Sequence, residues 1–502
     1  MTLSELSLLE TLPIANTVSK WWVARSDACT HCNICVDVCP TGAHKAADGY
    51  VRQPQPKSEV CIGPNCRSDG RNCVTECPAD ALRVESNQSY EVLGDARWPA
   101  DLLNATWHEA EYGVAPRNDL EWRVGRSGGG FDRLRFRVED NLPEVLDPPG
   151  GLQAAYQQAL SEVDLHLPLN RRHDEAEAIT IDTPWYGGGM SYGSISLPVM
   201  LARASAAQRL GYFISTGEGG YPIELSRYKD NVITQVATGL FGVREETLQW
   251  ARIIEIKYAQ GAKPGLGGHL LADKVTRDVA DVREAVEHTN LFSPFPFHSV
   301  YSVEDHKKHV DWLKAINPRA VIAVKVSTPE DVDMVAVGSY YAGAHIIHLD
   351  GGYGGTGAAP DIAKKNIAMP IEYAIPKAHK FLVQEGIRDQ VTLMASGGLR
   401  TPYDVAKVIA LGADGAIIGT AELVAVECVR CSNCESGRGC PKGIATTDAG
   451  LTPIIGSHWG GQRIVNMYSA WLGELALLLK AMGLKSIAEL RGRTDLLRYI
   501  KE

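Results

Sequence analysis

All twelve cysteines of this chain fall in three groups of four, and the long stretch between Cys77 and Cys428 has none. Cysteines serving as small core residues would be scattered, so this clustering marks ligands. The first group is Cys29, Cys32, Cys35 and Cys39, followed by Pro40, in the spacing C-x₂-C-x₂-C-x₃-C-P. Three thiolates two residues apart can wrap one face of an iron–sulfur cubane, while the fourth reaches a different cluster. The second group is Cys61, Cys66, Cys73 and Cys77, followed by Pro78, and its C-x₃-C-P tail repeats the first. Residues 25–83 therefore read as an internal duplication. With crossed ligation, Cys29, Cys32, Cys35 and Cys77 hold one [4Fe–4S] cluster, and Cys61, Cys66, Cys73 and Cys39 hold the other. A pair of zinc sites is the competing reading, although zinc ribbons seldom place three cysteines at this spacing. The third group, Cys428, Cys431, Cys434 and Cys440, lies far away in sequence.

At 502 residues the chain implies two or three domains. Its 60 acidic and 50 basic residues give a net charge of −10, and no long Lys/Arg run supplies the basic face that nucleic acid requires. The first twenty residues lack a basic start followed by an apolar core, and no stretch approaches the roughly twenty apolar residues of a membrane span. A cytoplasmic, reducing compartment is expected, where cysteines act as ligands more often than as disulfides.

Residues 96–154 read as a linker and packing segment. The Gly128–Gly130 run lacks the strand–turn–helix setting of a dinucleotide fingerprint. From about residue 155 a rhythm begins: a short apolar run, a Gly- or Ser-rich turn, then a helical segment. Eight runs are expected to be strands: TPWYGGGMSYG, GYFISTGEGG, RIIEIKYAQG, NLFSPFPFH, AVIAVKVS, AHIIHLDGGYGG, VTLMASGG and GAIIGTA. Their apolar residues are continuous, as in parallel strands covered by helices. The expected fold class is α/β: a (β/α)₈ TIM barrel over residues 155–502, preceded by an α+β two-cluster ferredoxin-like domain over residues 1–95. Ser396-Gly397-Gly398 after the seventh run and Gly419-Thr420 after the eighth match the place where such barrels cradle a phosphate. A phosphate-bearing cofactor such as FMN fits. Lys325, inward at the end of AVIAVKVS, would put a positive charge near a reduced flavin; a salt-bridged barrel lysine is the plainer alternative.

A chain of motifs, in order, resembles the FMN domain of glutamate synthases. These are MSYGSIS (Met190–Ser196), STGEGG (Ser215–Gly220), QVATGLFGV (Gln235–Val243), IKYAQGAKPGLGGHL (Ile256–Leu270), YSVED (Tyr301–Asp305), GGTGAAP (Gly354–Pro360) and CPKGIAT (Cys440–Thr446). The fused ferredoxin module resembles the compact, archaeal-type arrangement of that family. The resemblance implies FMN, and reductive amination of 2-oxoglutarate to glutamate with ammonia. It also implies a third iron–sulfur cluster on Cys428, Cys434 and Cys440, [3Fe–4S] in the family, or [4Fe–4S] if the additional Cys431 takes part. It assigns Lys263 to the substrate carboxylates and Lys325 to the reduced flavin. Met190, Ser191, Gln235, Gly354 and Gly355 join the cofactor site. Proton transfers fall to Glu218, His269 or His298, each expected at a strand end.

Departures from the family pattern bear on substrate. SPFPFHS places Phe297 and Ser299 where the family has a histidine and an acid, and Tyr221 stands where it has a carboxylate. At the mouth of the barrel these changes would remove polar groups and add aromatic surface. They motivate an altered amine or 2-oxo acid, such as an N-methylglutamate synthase-type reaction, or a catalytically inactive electron-relay subunit. No cysteine precedes Cys29, no room follows the barrel for a β-helix, and no NAD(P) fingerprint is present. The expected partners are therefore glutaminase-like and β-helix subunits. An external donor, a ferredoxin or an NAD(P)H-oxidising flavoprotein, would supply electrons.

Overall fold

The duplicated cysteine pattern folds as a duplicated backbone. The computed structural model describes residues 18–46, 52–116, 130–137, 151–435 and 438–500. Among these, residues 18–104 with Val429–Cys431 form one unit, and residues 105–428 with 432–500 form another. In the smaller unit, β1 (Trp21–Arg25) pairs antiparallel with β2 (Leu82–Ser86), with Val23 opposite Val84. A short helix, α1 (Ile34–Val38), follows the first two cysteines and carries Cys35. The two C-x₃-C-P tails are superimposable in their bonding. Ala43 N–H donates to Cys39 Sγ and Ala81 N–H donates to Cys77 Sγ, each at 3.3 Å. Gly42 and Asp80, at matching positions, both take positive φ to make that turn. Arg430 ties Val429–Cys431 to this unit through Asp95, at 2.8 Å.

Within 96–154 there is a helix, α2 (Ala100–Tyr112), whose Trp107 Nε1–H donates to Val424 O at 2.9 Å. Another, α3 (Leu152–Glu162), begins at its end. Of the Gly128–Gly130 run, only Gly130 falls within the described residues.

The larger unit is a closed barrel of eight parallel strands in chain order. They are β3 (Trp185–Gly187), β4 (Ile214–Ser215), β5 (Val232–Ala237), β6 (Ile253–Lys257), β7 (Val321–Ser327), β8 (Ile346–Asp350), β9 (Thr392–Ser396) and β10 (Gly415–Ile418). Ile417 opposite Tyr186 closes the ring. Helices α4 (Leu197–Leu210), α5 (Val303–Ile316), α6 (Val332–Ala342), α7 (Ile371–Gln384) and α8 (Pro402–Ala410) alternate with the strands.

The fold class stands, but one strand was misplaced. NLFSPFPFH is not a barrel strand: Leu291–Phe292 pairs antiparallel with His269–Leu270 in a side ribbon. Two prolines deny this segment ladder donors, which suits an edge and not a barrel interior. The barrel strand is instead VITQVA, all six of whose residues are buried. Gln235 interrupts its apolar run, which hid its strand character.

Barrel closure depends on a buried ion pair. Arg203 on α4 and Glu422 on α9 (Thr420–Ala425) meet at 2.6 Å, both fully out of solvent. Arg203 also donates to Gly188 O at 2.7 Å, and Tyr468 Oη donates to Glu422 at 2.9 Å. Tyr468 belongs to the long terminal helix α10 (Ser457–Ala481), which packs on α4 and α3. No helix among the described residues is long and apolar enough to cross a membrane. Removing one partner strands the other's charge in a dry environment. Glu422→Ala should therefore lower stability by about 3–5 kcal/mol in chemical denaturation, against about 1–2 kcal/mol for Tyr468→Phe.

Candidate active site at the barrel mouth

Alternate side chains on a strand share a face, so the polar residues near the C-terminal strand ends form one interior chain. Glu255 of β6 accepts from Gln235 Nε2 at 2.6 Å and from Ser215 Oγ at 3.3 Å. Its other oxygen faces His348 Nδ1 at 3.0 Å. His348 Nε2 lies 2.6 Å from Ser396 Oγ, which donates to Asp350 at 2.6 Å. Asp350 pairs with Lys325 at 3.4 Å and accepts from Gly261 N–H at 3.0 Å. Burial works against each charge here; for Glu255, Asp350 and Lys325 the partners win, whereas burial and Lys325 hold His348 below the ordinary imidazole range. His348 and Lys325 bring the Glu255 carboxyl down to about 2, and Asp350 with Glu255 lifts Lys325 above its ordinary range. Lys325 is thus a salt-bridged barrel lysine and a fixed positive charge at once.

Above this chain, cations crowd one carboxylate. Lys257 at the end of β6 pairs with Glu218 at 2.9 Å. Burial pushes the Glu218 carboxyl up, but Lys257, Lys263 and Arg283 outweigh it and bring it down to about 2. Arg283, itself buried, donates to Ser191 Oγ at 2.9 Å and to Tyr192 O at 3.0 Å. Lys263 is 5% exposed, and its ammonium has neither hydrogen bond nor ion pair among the described residues. Burial lowers its pKa. His269, half-buried, is held below the ordinary imidazole range by burial and by Lys263. It lies 4.0 Å from Glu435, which also reaches Lys274 at 3.7 Å.

The loops around this constellation approach one another closely. A Cβ on Gly217 would fall 2.5 Å from Ser191 N, so only glycine lets the loop after β4 pack on Met190–Ser191. Gly354, with Gly355 beside it, packs on Ala262 next to Lys263. Ser396 leads into Gly397 and Gly398, both at positive φ, and Gly419 precedes Thr420 at the start of α9. These turns leave backbone N–H groups available to an anionic group, as a phosphate-bearing cofactor needs.

The cysteines sort by position. Cys29, Cys32, Cys35 and Cys77 line one small cavity. Cys39, Cys61, Cys66 and Cys73 act on one another electrostatically, and burial drives the Cys73 thiol up to about 12. Two thiol quartets, each drawn from both halves of the duplication, fit two cubane clusters. In the third group, Cys428, Cys434 and Cys440 belong to the barrel unit, and the exposed Cys431 belongs to the smaller one. A Cβ on Gly357 would lie 2.9 Å from Cys434 Sγ, which brings that cysteine against the GGTGAAP loop. Ser196 anchors the Cys440 loop, its N–H donating to Ile444 O at 2.7 Å and its Oγ to Gly443 O at 2.8 Å.

Three expectations change. His298 is exposed and stands outside the charged constellation, because its segment is not a barrel strand. Phe297 is 3% exposed and fills the core behind β6 with Ile254, Ile256 and Leu313. Tyr221 is buried against Trp250, its hydroxyl donating to Leu225 O at 3.3 Å. These two aromatics therefore add no surface to the mouth, and Ser299 bonds the outward His309 at 2.9 Å. Conversely, Lys257, Glu255, His348, Asp350 and Arg283 went unnamed. The first four carried a legible signal: polar residues two apart, in IIEIK and IIHLD, within otherwise apolar strands.

The sign of the Glu218 shift sets a pH dependence. A carboxyl depressed in the fold contributes stability that is complete above about pH 4.5 and is lost as pH falls towards about 2. Glu218→Gln should be less stable than the parent at neutral pH. That gap should close across this acid window in denaturation experiments at stepped pH.

Comparison with known proteins shows the family. Residues 143–485 match the family model described as the conserved region in glutamate synthase, and residues 23–43 match the 4Fe-4S binding domain. An archaeal-type glutamate synthase [NADPH] of Dehalococcoides mccartyi is 37% identical, over 96% of this chain and 95% of its own. An archaeal glutamate synthase [NADPH] of Archaeoglobus fulgidus is 34% identical, over 95% of this chain and 93% of its own. With a family model spanning most of its length and relatives alike from end to end, the chain belongs to the glutamate synthase family.

Proposed function

We propose that this chain reductively aminates 2-oxoglutarate to glutamate, with FMN at the barrel mouth and electrons arriving through iron–sulfur clusters. The observation that carries this reading is Lys263, a buried ammonium without a partner among the described residues. Glu218 and Glu435 act on it only through space; a buried charge so weakly compensated is costly, and a substrate carboxylate relieves that cost. Lys257 and Arg283 stand ready for the second carboxylate of a dicarboxylic 2-oxo acid. Glu218, ionised at neutral pH, holds Lys257 in place and cannot serve as an acid there. His269, neutral under the same conditions, can pass a proton at the substrate amine. Lys325 keeps a positive charge beside Ser396 and the glycine turns that would hold the FMN phosphate, with Met190, Ser191 and Gln235 along the ring. When bound, FMN supplies the hydride that reduces the imine carbon.

We assign residues 1–95 to a two-cluster ferredoxin-like domain, 96–154 to a packing segment and 155–502 to the synthase domain. Two [4Fe–4S] clusters sit on the crossed quartets. The third cluster is held by Cys428, Cys434 and Cys440, as [3Fe–4S], or as [4Fe–4S] where Cys431 joins. The relatives' names include NADPH, which favours a separate NAD(P)H-oxidising flavoprotein as donor. Ammonia comes from a glutaminase-like subunit, and a β-helix subunit completes the assembly in the cytoplasm. With Phe297 and Tyr221 buried, 2-oxoglutarate and ammonia are favoured over an altered substrate or a silent relay.

The test is anaerobic: reduce the holoprotein, add 2-oxoglutarate and ammonium, and follow flavin reoxidation together with glutamate. Stoichiometric reoxidation with glutamate is expected; reoxidation with methylamine alone would overturn the assignment of ammonia. Lys263→Ala should lose about a hundredfold or more in kcat/KM, the worth of a charge-assisted bond, while keeping its flavin. Gly357→Val, pressing on Cys434, should lower iron by the third cluster's share alone, seen as loss of its EPR signal with the ferredoxin signals retained.

A further inference from the structure

Gln53 lies outside every cysteine motif, yet it reaches into the cavity lined by Cys29, Cys32, Cys35 and Cys77. It is 6% exposed. Its side-chain amide spans two sulfurs, with Nε2 donating to Cys35 Sγ at 3.5 Å and Oε1 3.9 Å from Cys29 Sγ. The backbone that carries it is held on both sides. Gln53 N–H donates to His31 Nδ1 at 3.4 Å. Arg25 Nη1 donates to Gln53 O at 3.1 Å and to Pro54 O at 2.8 Å. The guanidinium thus fixes the amide and brings a positive charge to the same quartet.

The other quartet is served differently. Both have the matching backbone donor, Ala81 N–H to Cys77 and Ala43 N–H to Cys39. Gly63 N–H adds a bond to Cys61 at 3.4 Å, the Thr41 hydroxyl lies 3.5 Å from Cys39, and the Thr41 and His44 backbone N–H groups also act on Cys39. Among the described residues, no side-chain N–H reaches a sulfur of Cys39, Cys61, Cys66 or Cys73. Arg67, next to Cys66, is partly exposed and bound to Asp69 at 2.8 Å, which offsets part of the charge it brings to Cys66. The duplication is symmetric in ligands and asymmetric in what surrounds them.

Reduction adds an electron to a cluster that is already anionic. Donors and cations aimed at its sulfurs stabilise the reduced state more than the oxidised one and raise the potential. We propose that Gln53, positioned by Arg25, raises the potential of the cluster on Cys29, Cys32, Cys35 and Cys77, one of the ferredoxin pair. This rests on the reading that both quartets hold [4Fe–4S] clusters.

The experiment is an EPR-monitored redox titration of the full-length holoprotein, wild type beside Gln53→Leu and Gln53→Glu, with iron and sulfide determined for each. The Glu variant keeps the shape of the side chain and decides the matter if the Leu variant loses iron. The expected result is that one of the two ferredoxin [4Fe–4S] waves moves to lower potential in both variants, further for Glu, while the other stays. Two unmoved waves, or a wave that moves to higher potential, overturn the inference. Iron and sulfide in the wild type too low for two [4Fe–4S] clusters would sink the cluster reading itself.

Discussion

Charge compensation in a space that excludes water is the constraint on which this barrel depends. Four cations, Lys257, Lys263, Arg283 and Lys325, share its upper interior with Glu218, Glu255 and Asp350. Each anion is depressed by neighbouring positive charge against its own burial. The interior is thus polarised before any ligand arrives, and its fields cost no reorganisation at the moment of reaction. Among the four cations, Lys263 alone has neither hydrogen bond nor ion pair among the described residues, although Glu218 and Glu435 act on it through space.

The frame around that interior is built from the same economy of close contacts. Arg203 and Glu422, dry and hydrogen-bonded on several sides, join the first barrel helix to the last. Through Gly188 O the same arginine fixes the strand end that leads to Met190 and Ser191. Stability and site geometry therefore share residues, and a fault in the frame is felt at the mouth.

Much of this was legible in the chain. Cysteine spacing marked both quartets, because cluster ligation demands a fixed local geometry that sequence records directly. Eight strand–helix units were countable, yet the count was reached with one wrong member. NLFSPFPFH looked apolar enough for a strand, and only its prolines argued otherwise. VITQVA was concealed by the inward Gln235 that serves the site. Lys257 and Asp350 were overlooked for a related reason: each ends an apolar run, where a polar residue reads as the start of a turn. Phe297 and Tyr221 show the opposite failure. Position beside a motif suggested the mouth, whereas side-chain direction, which tertiary packing decides, took both into the core.

The contact between Gly357 and Cys434 bears on how the substrate pocket holds its shape. The loop after β8 leaves no room for a side chain beside that sulfur, and Glu435 next to it reaches His269 and Lys274 on the loop that carries Lys263. On the cluster reading, three loops are seated by one inorganic centre. A cluster held there would fix the loops of Gly357, Cys434 and Lys263 against one another, so the substrate pocket would depend for its shape on a group that the polypeptide does not itself supply.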